Sequence, residues 1–421
     1  MSSNRLSDKR LFWLIAIFAL ALAFRLIVVG RLAMPPANDL LWNDAVGWNL
    51  ANGRGFTASQ AEPRVPGVFR TPGYPAFLAV IYLLAGHSHR AAFLAQAILD
   101  SLVAVLAALI GSRLLDAGIG YVAGLIYAIN PYSAIHCGIL SQDILLTFTI
   151  SLTLYLIVLT ASQTGGTGKR SLWFLVGISI GCAALVKAFL VLYVIVSLIV
   201  QLHLLRNPRR FVVAAAITFL GIGILTVPWG VRNYLCFRRF PPLAAGGTGT
   251  NLMYLAEEMR DGENALVGRQ EVAAGDRLSS AGYLRRFVDG VELIDKEFEL
   301  AQEAKGEIKR RWPAYIPLVL KHIPRLWITK YTIGQSTRRQ LAATGLSIVT
   351  LLSGLAGMVL LWRERMRLLS LYLSVIVITL VYAPYTAEAR YTLPARPAMI
   401  VFIAAMLVAG FNKMRGHREL P

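Results

Sequence analysis

The sequence predicts an all-α protein that crosses a membrane many times, and three observations predict it. Of its 421 residues 56% are hydrophobic and only 15% charged, with a mean hydropathy of +0.58, a balance that soluble domains of this length do not keep. The apolar residues gather into stretches of the ~20 residues a span needs: 11–30, 91–112, 118–138, 143–161, 171–187, 188–205, 211–230, 340–362, 367–384 and 393–411. Between those stretches the basic residues alternate in a way that fits one topology. The expected architecture is a single membrane domain, 1–421, built as a bundle of ten or eleven transmembrane helices.

Numbering the spans in order sends Lys9, Arg113, Lys169, Arg206, Arg363 and Lys413, with their basic neighbours, to one side. Lys and Arg are retained on the cytoplasmic side, so both termini are expected there. The first span is too long for a signal peptide and lacks a small-residue cleavage site, so it is expected to stay in the protein. The net charge of +19 then reads as topology. Nucleic acid is not an expected partner, because no basic run is interleaved with exposed aromatics as a strand-binding groove requires. Cys137, Cys182 and Cys236 are odd in number and widely spaced, which indicates neither a disulfide framework nor a metal site. They read as small apolar packing residues.

This topology leaves two segments outside, 31–90 and 231–339, before the C-terminal spans of 340–421. In the first, Asn38 or Asp39 can cap a short helix that Asn52-Gly53 ends. Leu41, Ala45 and Trp48 give it one apolar face, so it is expected to lie in the interface with Asn43, Asp44 and Gly47 turned away from lipid. Phe69-Arg-Thr-Pro-Gly-Tyr-Pro75 leads into a second apolar helix too short to span. The other segment opens at Pro228-Trp-Gly-Val-Arg-Asn-Tyr234, continues through the Gly-rich Ala245–Asn251, and carries a helix over Glu292–Arg311 with Ile294, Phe298, Ala301 and Ile308 on one face. Residues 313–333, broken by Pro317 and Pro324, read as an interfacial helix rather than an eleventh span. The 18 Lys/Arg against 13 Asp/Glu in 231–339 do not upset the topology, since long loops translocate largely regardless of charge.

Charges within the spans are few. Arg25 and Lys187 lie near outer ends, where they can snorkel. Asp100, beside Gln96, sits about mid-span and reads either as a helix–helix hydrogen bond or as a functional group. Charges gather instead at the outer mouth: Asp44, Asp143, and Glu388, Arg390 and Tyr391 in the tight connection Ala383–Tyr391, with Arg70 and Arg232 flanking the two large loops. Carboxylates beside arginines at a membrane surface suit an enzyme acting on an anionic lipid. An Asp can take the proton of an incoming hydroxyl, and Arg forks hold a phosphate in two places. A flippase or other transporter of lipid-linked sugars is the alternative. It calls for repeated halves and midplane polar residues, which the sequence does not display.

Six motifs in order carry a resemblance: an acid soon after the first span, Asn52-Gly-Arg-Gly-Phe56, Phe69–Pro75, Ser141-Gln-Asp143, Pro228–Tyr234 and Glu388-Ala-Arg-Tyr-Thr-Leu-Pro394. The chain resembles the bacterial branch of the GT-C glycosyltransferases and is similar to glycosyltransferase family 39, which includes dolichyl-phosphate-mannose protein mannosyltransferases and the aminoarabinose transferases of lipid A. The resemblance implies an inverting transferase of the bacterial inner membrane. Such an enzyme moves a sugar from a polyprenyl-phosphate carrier to an envelope glycolipid, polysaccharide or protein at the periplasmic face. It implies catalytic roles for Asp44 (the base) and Asp143. Arg70, Arg232, Arg390 and Tyr391 are implied at the donor phosphate, and Asn43, Tyr74, Glu388 and Lys187 as groups supporting sugar or acceptor. The first outer loop would then be catalytic, and 231–339 would contact donor and acceptor. No metal ligand is assigned, though a divalent cation, Mg or Mn, is compatible with the family. Two departures stand out. Asn43-Asp44-Ala45 has one acid where the protein mannosyltransferases have an Asp-Glu pair, and with about ten residues after the last span a C-terminal domain like that of the aminoarabinose enzymes is not expected.

Overall fold

In lipid every backbone polar group must be satisfied within the chain, and a helix does this locally. The computed structural model describes residues 2–36, 40–59, 62–161, 170–239, 243–261, 290–328, 337–385 and 387–414, all helical or irregular with no strand among them. The helices are α1 (Ser2–Leu32), α2 (Leu40–Ala51), α3 (Gly73–Ala85), α4 (His89–Leu114), α5 (Ala117–Ala128), α6 (Pro131–His136), α7 (Asp143–Ala161) and α8 (Arg170–Val186). They continue with α9 (Val194–Leu204), α10 (Pro208–Phe237), α11 (Thr248–Asp261), α12 (Gly290–Arg310), α13 (Trp312–Trp327), α14 (Thr337–Leu360), α15 (Leu369–Tyr382) and α16 (Arg396–Met414). Short 3₁₀ turns at Ala188–Tyr193 and Ala389–Ala395 lead into α9 and α16.

All ten apolar stretches fall on helix. Among the described residues six helices are long and apolar enough to cross a membrane, namely Asp8–Leu32, His89–Leu114, Asp143–Ala161, Pro208–Phe237, Leu341–Leu360 and Ala389–Lys413. The protein is an all-α, multi-pass membrane protein. The stretch 118–138 is broken where Asn130, its Oδ1 accepting from Tyr132 N at 3.0 Å and Ser133 N at 3.2 Å, caps α6 before Pro131. Small residues let the helices approach closely, as membrane packing requires. A side chain at Gly177 would run into the backbone of Thr218, and one at Gly120 into that of α4. Gln201 then ties Ser197 of α9 to Thr218 of α10, both at 3.0 Å.

Four expectations are corrected by the packing. Arg25 does not snorkel. It is fully buried, with Nε 2.6 Å from Asp100 Oδ2 and Nη1 2.8 Å from Ala128 O, while Tyr127 Oη donates to Asp100 Oδ1 at 2.7 Å. α4 and α5 cover the residue and close its route to water, so Asp100 is a helix–helix tie. Second, α2 is not a surface helix. Leu41 through Gly47 and Asn49 are all buried, because α3 crosses one side, with Gly47 against Leu78 and Pro75. Phe56, Phe69 and Trp229 close around Trp42 and its neighbours on another side. The proposed cap residues Asn38 and Asp39 lie outside the described residues.

Third, the inward face of α12 is Leu293, Glu297, Ala301 and Ala304, and Phe298 is exposed. Glu297 decides the rotation: its carboxylate accepts from Gly249 N at 2.6 Å and Thr250 N at 3.1 Å at the start of α11. Fourth, Lys187 is drawn into the bundle end instead of snorkelling, its Nζ 4.0 Å from the Tyr391 ring centroid. α13 falls within the stretch read as an interfacial helix and is amphipathic. Trp312, Ile316 and Leu320 are exposed along one side while Leu318, His322 and Leu326 are buried. The stretch 329–333 lies outside the described residues.

Candidate active site

Helix ends at one end of the bundle converge on one cavity of about 460 Å³. Its polar wall comes from five places in the chain: Asn43 on α2, Arg70 before α3, Asp143 opening α7, Lys187 after α8, and Glu388, Arg390 and Tyr391 before α16. α8 runs from Arg170 to Val186 at the cavity. At 1.5 Å per residue its basic start lies roughly 25 Å away, at the opposite end of the bundle. Each loop is fixed by its own backbone needs. Thr71 Oγ1 donates to Val186 O at 2.8 Å, and Gly73 sits so close to Leu185 O that no side chain fits. The Gly-rich loop runs beside this segment, with Ala245 N to Val68 O at 2.9 Å and Gly246 N to Phe69 O at 3.1 Å, and brings Thr250, Asn251 and Tyr254 to the rim.

The cavity holds three cationic side chains and two carboxylates. Glu388 is already engaged, 2.6 Å from Arg390 Nε, and accepts from Tyr391 Oη at 3.4 Å. Asp143 is 4% exposed and accepts one hydrogen bond from Ser141 Oγ at 3.0 Å. Arg70 lies over the Phe69 ring at 5.0 Å. Chemically this is a carboxylate able to accept a proton, beside cations that favour an anion. Among the described lining residues Asp143 is the carboxylate not paired with an arginine, and Mg or Mn, which take several oxygen ligands, would need more than it supplies.

Residues 69–229 match the family model described as dolichyl-phosphate-mannose-protein mannosyltransferase. Compared by sequence with curated proteins, the chain has no match. Among solved structures it is similar to the archaeal oligosaccharyltransferase AglB from Archaeoglobus fulgidus in complex with an inhibitory peptide and a dolichol-phosphate. The TM-score is 0.58 at 12% identity, covering 98% of this chain and 52% of that one. The same enzyme tethered to an acceptor peptide gives 0.58 at 13% identity, covering 97% and 51%. These likenesses, at 12–13% identity, show a shared fold. The chain spans about half the length of the AglB chains it matches. ArnT from Cupriavidus metallidurans bound to undecaprenyl phosphate aligns at a TM-score of 0.46 with 14% identity, covering 94% of this chain and 79% of that one.

In this chain Asn43, Arg70, Asp143, Lys187, Glu388, Arg390 and Tyr391 stand together at the cavity, and Asp44, Tyr74 and Arg232 do not line it. Tyr74 is buried with its hydroxyl on Gln96 Oε1 at 2.8 Å. Arg232 Nη1 donates to Gly67 O at 2.9 Å and packs against the rings of Phe56, Trp229 and Phe237. Asp44, next to Asn43, points elsewhere. Its Oδ1 meets Tyr82 Oη at 2.5 Å, His87 Nε2 at 2.9 Å and His89 Nε2 at 3.1 Å. Burial alone would raise its pKa, but these hydrogen bonds outweigh it and hold the carboxyl below its usual value. Sequence reasoning missed His87 and His89, although the His-Ser-His spacing between α3 and α4 was the available signal, and missed Ser141 and Gln142 as lining groups.

Proposed function

We propose that the chain transfers a sugar, with inversion, from a polyprenyl-phosphate carrier to a cell-envelope acceptor at the outer face of a bacterial inner membrane. The observation that carries this reading is Asp143, among the described lining residues the carboxylate without an arginine partner, set among Arg70, Lys187 and Arg390 in one cavity at the bundle end. The match to the mannosyltransferase model and the dolichol-phosphate bound by AglB support a lipid-linked donor. Arg70 and Arg390 hold the donor phosphate and Lys187 adds a third positive charge. An acceptor hydroxyl approaches from the side of the Gly-rich loop and gives its proton to Asp143. Its oxygen bonds to the anomeric carbon as the carbon–oxygen bond to phosphate breaks, and the electron pair leaves on the phosphate, where the cations stabilise the new charge. Direct displacement inverts the anomeric centre. Asp44 holds α2 in place so that Asn43 faces the sugar. No step runs through a divalent cation. The acceptor is a glycolipid, polysaccharide or protein of the envelope.

The test is mass analysis of envelope lipids and polysaccharides from cells with and without the protein, together with a reporter active only outside the cytoplasm fused near residue 260. A sugar-sized mass present only with the protein, and lost with Asp143→Asn, is the expected result. Identical envelope profiles with a cytoplasmic residue 260 would overturn the proposal.

A further inference from the structure

Outside the transfer cavity, α2 and the turn between α3 and α4 bring three ligand-type side chains to one point. The donor atoms of Asp44, His87 and His89 lie within 4.8 Å of one another. The local chain explains the pairing of the histidines. Gly86 takes a positive φ of 67° to end α3, and Ser88 caps α4 with φ −111° and ψ 105°. An extended residue sends its two neighbours to the same side, so the cap places His87 and His89 on one face, toward Asp44.

Two features separate this cluster from an ordinary hydrogen-bonded carboxylate. A carboxylate oxygen offers about two lone-pair sites, yet three polar atoms crowd Asp44 Oδ1: Tyr82 Oη at 2.5 Å and the two imidazole Nε2 atoms at 2.9 and 3.1 Å. A cation held by both Nε2 atoms would take the place of those two contacts and leave Tyr82 as the one hydrogen bond. The two Asp44–imidazole distances also suit it. Bonds of about 2.0–2.1 Å, at angles between square and tetrahedral, put neighbouring ligand atoms about 2.9–3.4 Å apart. The side chains of His87 and His89 are 38% and 33% exposed, so an ion and a water as fourth ligand have access. Two imidazoles and one carboxylate suit zinc, not magnesium.

We propose that Asp44, His87 and His89 form a zinc-class structural site that pins α2 to the α3–α4 turn. The site rests on no assignment of the transfer reaction, although it fixes the helix that carries Asn43.

The test uses the full-length chain in detergent, washed with a weak chelator. Its metal content is measured, and it is then titrated separately with zinc sulfate and magnesium chloride while thermal melting is followed. The expected result is about one zinc per chain and a raised melting temperature, with no response to millimolar magnesium. His87→Gln and His89→Gln each weaken zinc binding at least about tenfold, the least that loss of a direct ligand should cost where loss of an outer-shell partner costs ten- to a hundredfold. If a histidine variant fails to fold, Asp44→Asn keeps the shape and the bond to Tyr82 and must show the same loss. A wild-type chain that takes up no zinc, an equal response to magnesium, or unchanged zinc binding in the variants would overturn the site and leave a hydrogen-bonded carboxylate only. Metal content is read without any sugar transfer, so failure of the transfer reading leaves this result standing.

Discussion

Two clusters of the same residue types, Arg, Asp and Tyr, have opposite fates in this molecule. In the middle of the bundle Arg25, Asp100 and Tyr127 are fully buried and satisfy one another and the carbonyls of α5. At its end Asp143 and Arg70 face a cavity, beside Lys187, Tyr391 and the paired Glu388 and Arg390. The difference teaches that chemistry follows from what remains open toward a cavity, not from residue type. A buried pair whose bonds are complete is a structural tie. A similar set facing space can hold a ligand.

The largest effect expected from this comparison is on stability. Breaking the buried pair with Asp100→Ala strands a guanidinium in the bundle and should cost about 3–5 kcal/mol. Thermal melting in detergent reads this, with transfer per folded molecule little changed. A variant that melts like the wild type would erase the distinction between the clusters. Arg70→Ala and Arg390→Ala should do the reverse, leaving melting nearly unchanged and weakening donor binding. An Arg–phosphate contact at about 4 Å near a surface carries roughly 4 kcal/mol of Coulomb energy before desolvation. Losing a third of that is about tenfold in donor affinity, readable by titration with a polyprenyl-phosphate sugar. Unchanged affinity in both variants would remove the arginines from the site.

The smallest effect concerns an intermediate case, between α11 and α13. Glu258 of α11 bonds to His322 Nε2 at 3.2 Å and to Arg325 Nη1 at 2.6 Å of α13. Burial raises its pKa, but those hydrogen bonds and charges outweigh it and hold the carboxyl below its usual value. A carboxyl with a lowered folded-state pKa contributes stability that is present above its unfolded value, near 4.5, and is lost as pH falls through the folded value. Docking of α11 on α13 should therefore loosen only below about pH 4.5. Hydrogen exchange in α11 reads it, and Glu258→Gln should flatten the response. A response to acid that persists in the variant would place its origin in another group.

Six spans were legible because each is a long apolar run, and the alternation of Lys and Arg along the sequence already sends Asp143, Lys187 and Glu388 to one end. Two features were not legible. A pattern of Leu41, Ala45 and Trp48 describes one apolar face of α2, but whether the other faces are covered depends on α3 and on Phe56, Phe69 and Trp229, all remote in sequence. The withdrawal of Asp44 depends on partners 43 and 45 residues away. Its neighbour Asn43 took the place at the cavity because adjacent residues on a helix point about 100° apart.

The central claim is that Asp143 is the proton acceptor of the transfer. Asp143→Asn keeps the shape and the bond to Ser141 but cannot take the proton, and should cost at least about 10²-fold in rate. The measurement is the single-turnover rate of sugar transfer in purified Asp143→Asn, with donor binding measured on the same sample. A rate at least a hundredfold lower with donor affinity intact is the predicted result. A variant that turns over at the wild-type rate would contradict it.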